Sequence, residues 1–164
     1  MKLEDVTVMD LATDPRQSLG EQVPFFLYRY ISLFAVADSR GAYAEKSLFD
    51  GGYKAGSQLV REMMFVDVPG LIEFFRQNGI AIVTVESTSG AIRMVRLEEC
   101  ATCTGLPPVE MSLCHLEAGL LAGALQHLDK SSAPYGARET ECAGLGNSSC
   151  LFEVGPDIVM HGEG

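Results

Sequence analysis

A chain of 164 residues, 47% hydrophobic and 21% charged, has the composition of a globular domain rather than a disordered one, and can bury a core without staples. Twelve lysines and arginines stand against 22 aspartates and glutamates, a formal net charge of −10. A grip on nucleic acid needs a basic patch that displaces counterions from phosphates, and here Arg93 and Arg96 are followed at once by Glu98 and Glu99, so DNA or RNA binding is not expected.

Residues 1–22 are polar, with Asp14-Pro15 and Gly20 as breakers, and read as a lead-in segment. A first helix fits Pro24 to about Ser39, since proline is favoured at the first helical position and Phe25, Leu27, Tyr28, Ile31, Leu33 and Phe34 supply an apolar surface. A second runs from about Ala44 to Met63 with Leu48, Ala55, Leu59 and Met63 facing inward. Its Gly51-Gly52 pair implies either a break or another backbone packed very close, because interior glycine costs ~1 kcal/mol against alanine. Pro69 to Asn78 reads as a short helix ended by Gly79. The period then changes: Ile80–Glu86 and Ala91–Leu97 are β-rich runs flanking Ser87-Thr88-Ser89-Gly90, a hairpin pattern. Helical period returns over Val109–Leu128, Ser131–Pro134 is a loop, and two last strands, about Tyr135–Ala143 and Ser149–Val154, flank a glycine-rich turn. The fold class is α+β, one domain over residues 23–156 with a flexible tail at 157–164.

No basic region followed by an apolar run opens the chain and no 18-residue apolar stretch occurs, so neither a signal peptide nor membrane insertion is expected. That predicts a cytoplasmic location, where thiols stay reduced. In such a compartment five cysteines confined to residues 100–150 point to metal or catalysis before disulfides. Cys142 and Cys150 sit where strands meet the glycine-rich turn, as in zinc-binding turns. Glu139 is three residues before Cys142 and offers an oxygen ligand, but strand alternation turns the two opposite ways unless a bulge intervenes. The alternatives are buried core thiols and a redox pair at Cys100-Ala-Thr-Cys103; the latter leads into a loop rather than a helix, unlike a thioredoxin-type motif.

On the long helix Ala118, Gly119, Ala122, Gly123 and Ala124 make one side thin, which suits tight helix packing, including across a dimer, more than direct ligand contact. Cys114 and Glu117 share a face there, with Glu117 a reserve ligand or an exposed side chain. His115, His127 and His161 are too dispersed for a triad and read as solvent-facing or capping. GxSxG, a phosphate-binding glycine loop and HExxH are all missing from the sequence.

The run Arg138-Glu139-Thr140-Glu141-Cys142-Ala143-Gly144-Leu145-Gly146-Asn147-Ser148-Ser149-Cys150-Leu151-Phe152 resembles the closing signature of the 4-vinyl-reductase (hydrocarbon-binding) domain family. Cys114-His115-Leu116-Glu117-Ala118-Gly119 resembles that family's cysteine-bearing helix, and Glu99-Cys100-Ala-Thr-Cys103-Thr-Gly105 is similar to archaeal forms. The resemblance implies helices packed on a twisted antiparallel sheet, a fold akin to transport-protein-particle subunits, usually dimeric. It further implies a zinc ion held by Cys114, Glu139, Cys142 and Cys150, with Cys100 and Cys103 as additional thiols. Phenol-sensing members use a tryptophan and a histidine in their pocket; this chain has no tryptophan and no histidine before His115, so phenol specificity is not carried over.

The expected function is therefore a small hydrophobic-ligand-binding domain, sensor or carrier, with a structural zinc, signalling as a homodimer through an unknown partner protein. Met63, Met64, Phe65, Phe74, Phe75, Ile92 and Met94 are candidate pocket residues, or simply core. The alternative is a metal- or thiol-dependent enzyme or accessory factor acting on a tetrapyrrole-like substrate, and a third reading is a dimerisation module built on the thin helix.

Overall fold

The computed structural model describes residues 18–20, 44–105 and 107–159. The expected helix at 24–39, most of the lead-in segment, His161 and the last five residues lie outside the described residues. The elements are α1 (Ala44–Arg61), α2 (Val68–Gln77), β1 (Ile82–Ser89), β2 (Ile92–Glu98), α3 (His115–Leu128), β3 (Tyr135–Glu141) and β4 (Cys150–Pro156). The four strands form one antiparallel sheet in the order β1-β2-β4-β3. The α+β single-domain architecture is as expected.

Helix α3 lies at the centre. Every residue from Glu117 to Leu125 is buried, as expected of a helix without a polar face. It packs against α1 on one side and the inner faces of β3 and β4 on the other, while α2 covers β1. The glycines explain how α1 comes so close. A Cβ on Gly52 or Gly56 would lie 3.0 Å from the backbone nitrogen of Leu120 or Ala124. A Cβ on Gly119 or Gly123 would lie 2.8 Å from the carbonyl carbon of Phe49 or Tyr53. The two helices thus meet backbone to backbone, with glycines four apart on each. The Gly51-Gly52 pair marks close approach and not a break, and the thin side of α3 is taken up within the chain rather than by a dimer partner.

Several inward assignments change. Leu59 and Ala55 are buried, but Leu48 is exposed and Met63 is 72% exposed, because α1 ends at Arg61 and Met63 adopts φ 57° in the turn that follows. Helix α2 begins at Val68 under an Asp67 cap whose carboxylate accepts from the Gly70 N–H at 2.7 Å, with Pro69 in the first turn. The β1–β2 hairpin turns on Gly90 (φ 61°) and Ala91, two residues later than the four-residue loop expected. Residues 109–114 are not helical, so Cys114 is the N-cap of α3 rather than part of it.

The inner face of the sheet carries Val95 and Leu97 on β2, Tyr135, Ala137 and Glu139 on β3, and Cys150, Phe152 and Val154 on β4, all buried. The β3–β4 register slips between Glu139, opposite Phe152, and Glu141, opposite Leu151. This is the bulge that the sequence required, and Thr140 is the extra residue. On the outer face Arg96 donates to Glu86, to Glu141 at 2.8 Å and to Ser149 at 2.6 Å, tying the hairpin to β2.

Candidate metal centre

Four segments converge at one end of α3. Glu99, at φ 50°, follows β2 and turns the chain into Cys100, which is buried. A tight turn follows, with the Thr104 N–H donating to the Cys100 carbonyl at 3.1 Å, and brings Cys103 to the same place. Cys114 is held at the N-cap of α3, its backbone N–H donating to Glu139 Oε2 at 3.2 Å. The β3–β4 connection is a short 3-10 turn, Ala143–Leu145, in which the N–H groups of Leu145 and Asn147 both donate to the Cys142 carbonyl at 3.0 Å. Gly144 ties this turn to the approach of α3, accepting from the N–H groups of Val109 at 2.8 Å and Glu110 at 2.9 Å. With Thr140 bulged out, Glu139 and Cys142 face the same way.

All five cysteines are free and at most 1% exposed. The Sγ atoms of Cys103 and Cys150 are 3.1 Å apart, those of Cys114 and Cys150 3.5 Å, and those of Cys100 and Cys114 3.6 Å. A tetrahedron of thiolates about zinc has edges of about 3.8 Å for a bond of about 2.3 Å. Two four-atom sets are compact enough to enclose an ion: Cys114, Glu139, Cys142 and Cys150, and Cys100, Cys103, Cys114 and Cys150. Within each set the ligand atoms all lie within 4.8 Å of one another. The first is the set implied by the family resemblance, and the second brings the CxxC thiols into the same cluster.

Two carboxylates share this pocket. Glu139 Oε1 is buried with no hydrogen-bond partner, and burial followed by the neighbouring Cys142 charge pushes its pKa up to about 8. Glu117, expected as a reserve ligand or exposed, is 4% exposed. Thr102 Oγ1 donates to its Oε1, Oε2 has no partner, and burial followed by the Cys100 charge drives its pKa well above the carboxylate range. Among the thiols, hydrogen bonds received from Cys103, Cys114 and Cys150 pull Cys100 and Cys142 down, while bonds among the sulfurs push Cys114 and Cys150 up. Sulfur-rich donors with an orphaned carboxylate oxygen fit a borderline-soft divalent cation: an unsatisfied buried oxygen costs ~1–3 kcal/mol, and coordination removes that cost.

The candidate pocket residues are not brought together. Phe65, Phe74 and Phe75 are core, with the Phe65 and Phe74 rings 5.2 Å apart. Met64 is 50% exposed after α1, and Ile92 and Met94 alternate with buried Val95 and so face the outer side of the sheet. A cleft of about 250 Å³ opens instead between α1 and the ends of β3 and β4, lined by Phe49, Tyr135, Ile158 and Val159 with Lys46 and Asp50 at its side. His115 Nε2 is 3.1 Å from the Ser112 carbonyl, and His127 accepts from Arg61 Nε at 3.1 Å. Neither belongs to the metal-ligand sets. Burial of Glu117 and its Thr102 contact had no signal in the sequence.

Comparison with known proteins gives consistent results. The family model of the 4-vinyl-reductase domain matches residues 94–156. An uncharacterized protein of Methanocaldococcus jannaschii is 30% identical over 138 residues, covering 84% of this chain and 81% of its own length, and a second from the same organism is 28% identical over 144 residues (85% and 80%). Among solved structures, a vinyl-4-reductase family protein from M. jannaschii shares the fold with a TM-score of 0.57 at 17% identity, covering 85% of each chain. The phenol-responsive sensory domain of the transcription activator PoxR, solved with phenol, follows at 0.51 and 18% identity (77% of this chain, 72% of that one). A trafficking protein particle complex subunit 3 from Naegleria fowleri stands at 0.49 and 16% identity (81% and 92%). With the domain match over β2 to β4 and a relative of this identity and coverage, the chain belongs to the 4-vinyl-reductase domain family.

Proposed function

We propose that this chain is a ligand-binding module, sensor or carrier, that takes a small hydrophobic molecule, is braced by zinc at Cys114, Glu139, Cys142 and Cys150, and passes its state to a partner protein. The observation that carries the zinc is the closure of those four ligand atoms within 4.8 Å, in a buried site where Glu139 Oε1 is otherwise unpartnered. Such an ion cross-links the start of α3 to the β3–β4 hairpin. Structural zinc contributes folding free energy outright, ~10 kcal/mol or more in small domains. A closed four-ligand set with no open position favours this structural role over metal-centred catalysis.

The hydrophobic ligand is suggested by the fold shared with a phenol-responsive sensory domain, and we seat it in the cleft beside Phe49, Tyr135 and Ile158. Five free thiols suit a reducing cytoplasm, and no helix among the described residues is long and apolar enough to cross a membrane. A homodimer of the kind the family resemblance implies must use a surface other than the glycine side of α3, which α1 occupies. The test is zinc content of reduced, chelator-free protein with calorimetry against small aromatic hydrocarbons. Zinc should be present, absent from Cys114→Ser, and binding should be lost in Ile158→Asp with zinc unchanged. Protein without zinc refutes the metal site, and binding that survives Ile158→Asp refutes the cleft.

A further inference from the structure

The two four-atom sets at the head of α3 are not simple alternatives. They share two sulfurs, Cys114 and Cys150, and each adds its own pair: Cys100 with Cys103 on one side, Glu139 with Cys142 on the other. Each outer pair is spaced three residues apart, one in the turn after β2 and one across the Thr140 bulge. Whichever set a single tetrahedral ion chose, it would strand the other pair as buried, metal-less donors.

We propose that the site holds two thiophilic divalent cations, zinc in the first instance, bridged by the thiolates of Cys114 and Cys150. Cys100 and Cys103 complete one tetrahedron; Glu139 and Cys142 complete the other. This rests on the zinc reading above and extends it to a second ion.

The shared sulfurs are 3.5 Å apart. With metal–sulfur bonds of about 2.3 Å, two cations placed on either side of the line joining them would lie about 3 Å apart, a separation that a pair of bridging thiolates screens. The Cys100–Cys114 separation, 3.6 Å, is close to the tetrahedral edge of about 3.8 Å, and the Cys103–Cys150 separation, 3.1 Å, opens by about 0.7 Å when an ion enters. Both halves have an unsatisfied buried carboxylate oxygen beside them, Glu139 Oε1 in one set and Glu117 Oε2 near Cys100 in the other. Each thiol gives its proton to solvent as its sulfur takes up metal, and no electron is transferred.

The experiment is metal stoichiometry on the full chain, followed by cobalt(II) titration of the metal-free protein. Zinc should be two per chain, falling to one in Cys100→Ser/Cys103→Ser and to one in Glu139→Ala/Cys142→Ser. At two equivalents of cobalt, coupling through the shared sulfurs should abolish most of the electron paramagnetic resonance intensity per ion. If a double variant fails to fold, the cobalt titration of the unmodified chain decides alone. One zinc per chain, unchanged in Cys100→Ser/Cys103→Ser, overturns the second ion and leaves the zinc brace standing. Two uncoupled cobalt ions overturn the bridge, and no metal at all overturns both readings.

Discussion

Gly123→Ala tests the helix contact on which the buried position of α3 depends. In a helix interior the substitution should gain ~1 kcal/mol from propensity alone. In this structure the new Cβ would sit 2.8 Å from the Tyr53 carbonyl carbon, with the carbonyl oxygen closer still. Both partners are backbone, so no side chain can swing away. Ordinary carbon contacts are about 3.5–4.0 Å, so α1 and α3 must part by about 1 Å, and a gap of that size forfeits a quarter to a half of each contact along the interface. Overpacking of this kind costs ~1–3 kcal/mol, and its upper end applies because the obstacle is rigid. The net expectation is a loss of about 2 kcal/mol, roughly thirty-fold in the folded-to-unfolded ratio. In urea, with a slope of about 2 kcal/mol/M, the midpoint should fall by about 1 M. A midpoint equal to or above that of the parent protein would refute the backbone-to-backbone contact and return the glycine stripe to an open surface.

Deleting Thr140 removes the bulged residue and leaves Glu139 and Cys142 two apart, on one face by plain alternation, so zinc content should be retained. Inserting one alanine after Thr140 sets the two ligands four apart, about 13 Å along an extended strand, and should abolish it. Loss of zinc on the deletion would show that the bulge does more than restore parity. Asp129, where α3 ends, accepts from Arg93 at 2.6 Å and 2.8 Å and from Tyr135 Oη at 2.8 Å. Burial raises its pKa, but the Arg93 and Tyr135 hydrogen bonds lower it further, so the folded value lies below the ordinary 3.8. A carboxylate held low adds stability that is present above pH ~4 and lost on acidification below it. Asp129→Asn should therefore cost about 1 kcal/mol at pH 7 and progressively less below pH 4 in denaturation curves; a pH-independent cost would refute the ion-pair account. Cys142→Ser should lower the thermal midpoint of zinc-loaded protein while leaving that of the metal-free protein nearly unchanged. An equal drop in both would mean that the thiol acts by packing.

Local signals were enough to reveal the elements and part of the site. Proline at the start of α2, the change of period at Ile80 and the glycine-rich turn before Cys150 each act within a few residues, and the corresponding elements are present. The family signature named Cys114, Glu139, Cys142 and Cys150, and those four do converge, but alternation alone set Glu139 against Cys142 because a bulge leaves no mark in composition. The place of Cys100 and Cys103 could not be read at all. It depends on β4 inserting between β2 and β3, which sets Leu97 beside Cys150, and strand order is a long-range property. The candidate pocket residues lie apart for a related reason: Ile92 and Phe75 are apolar alike, and only the sheet's two sides separate them.

The enclosure of α3 also orders the birth of the protein on the ribosome. When this helix emerges, α1 has already been made and can shield one flank, but the strands that cover the other have not been translated. Its apolar residues from Ala118 to Leu125 are then exposed until β3 and β4 follow, and the last of the clustered thiols, Cys150, arrives with the final strand. Assembly of the thiol cluster and closure of the core are consequently late, nearly simultaneous events of synthesis. Chains cut short before β4 should be clients of chaperones and proteases rather than partly working domains.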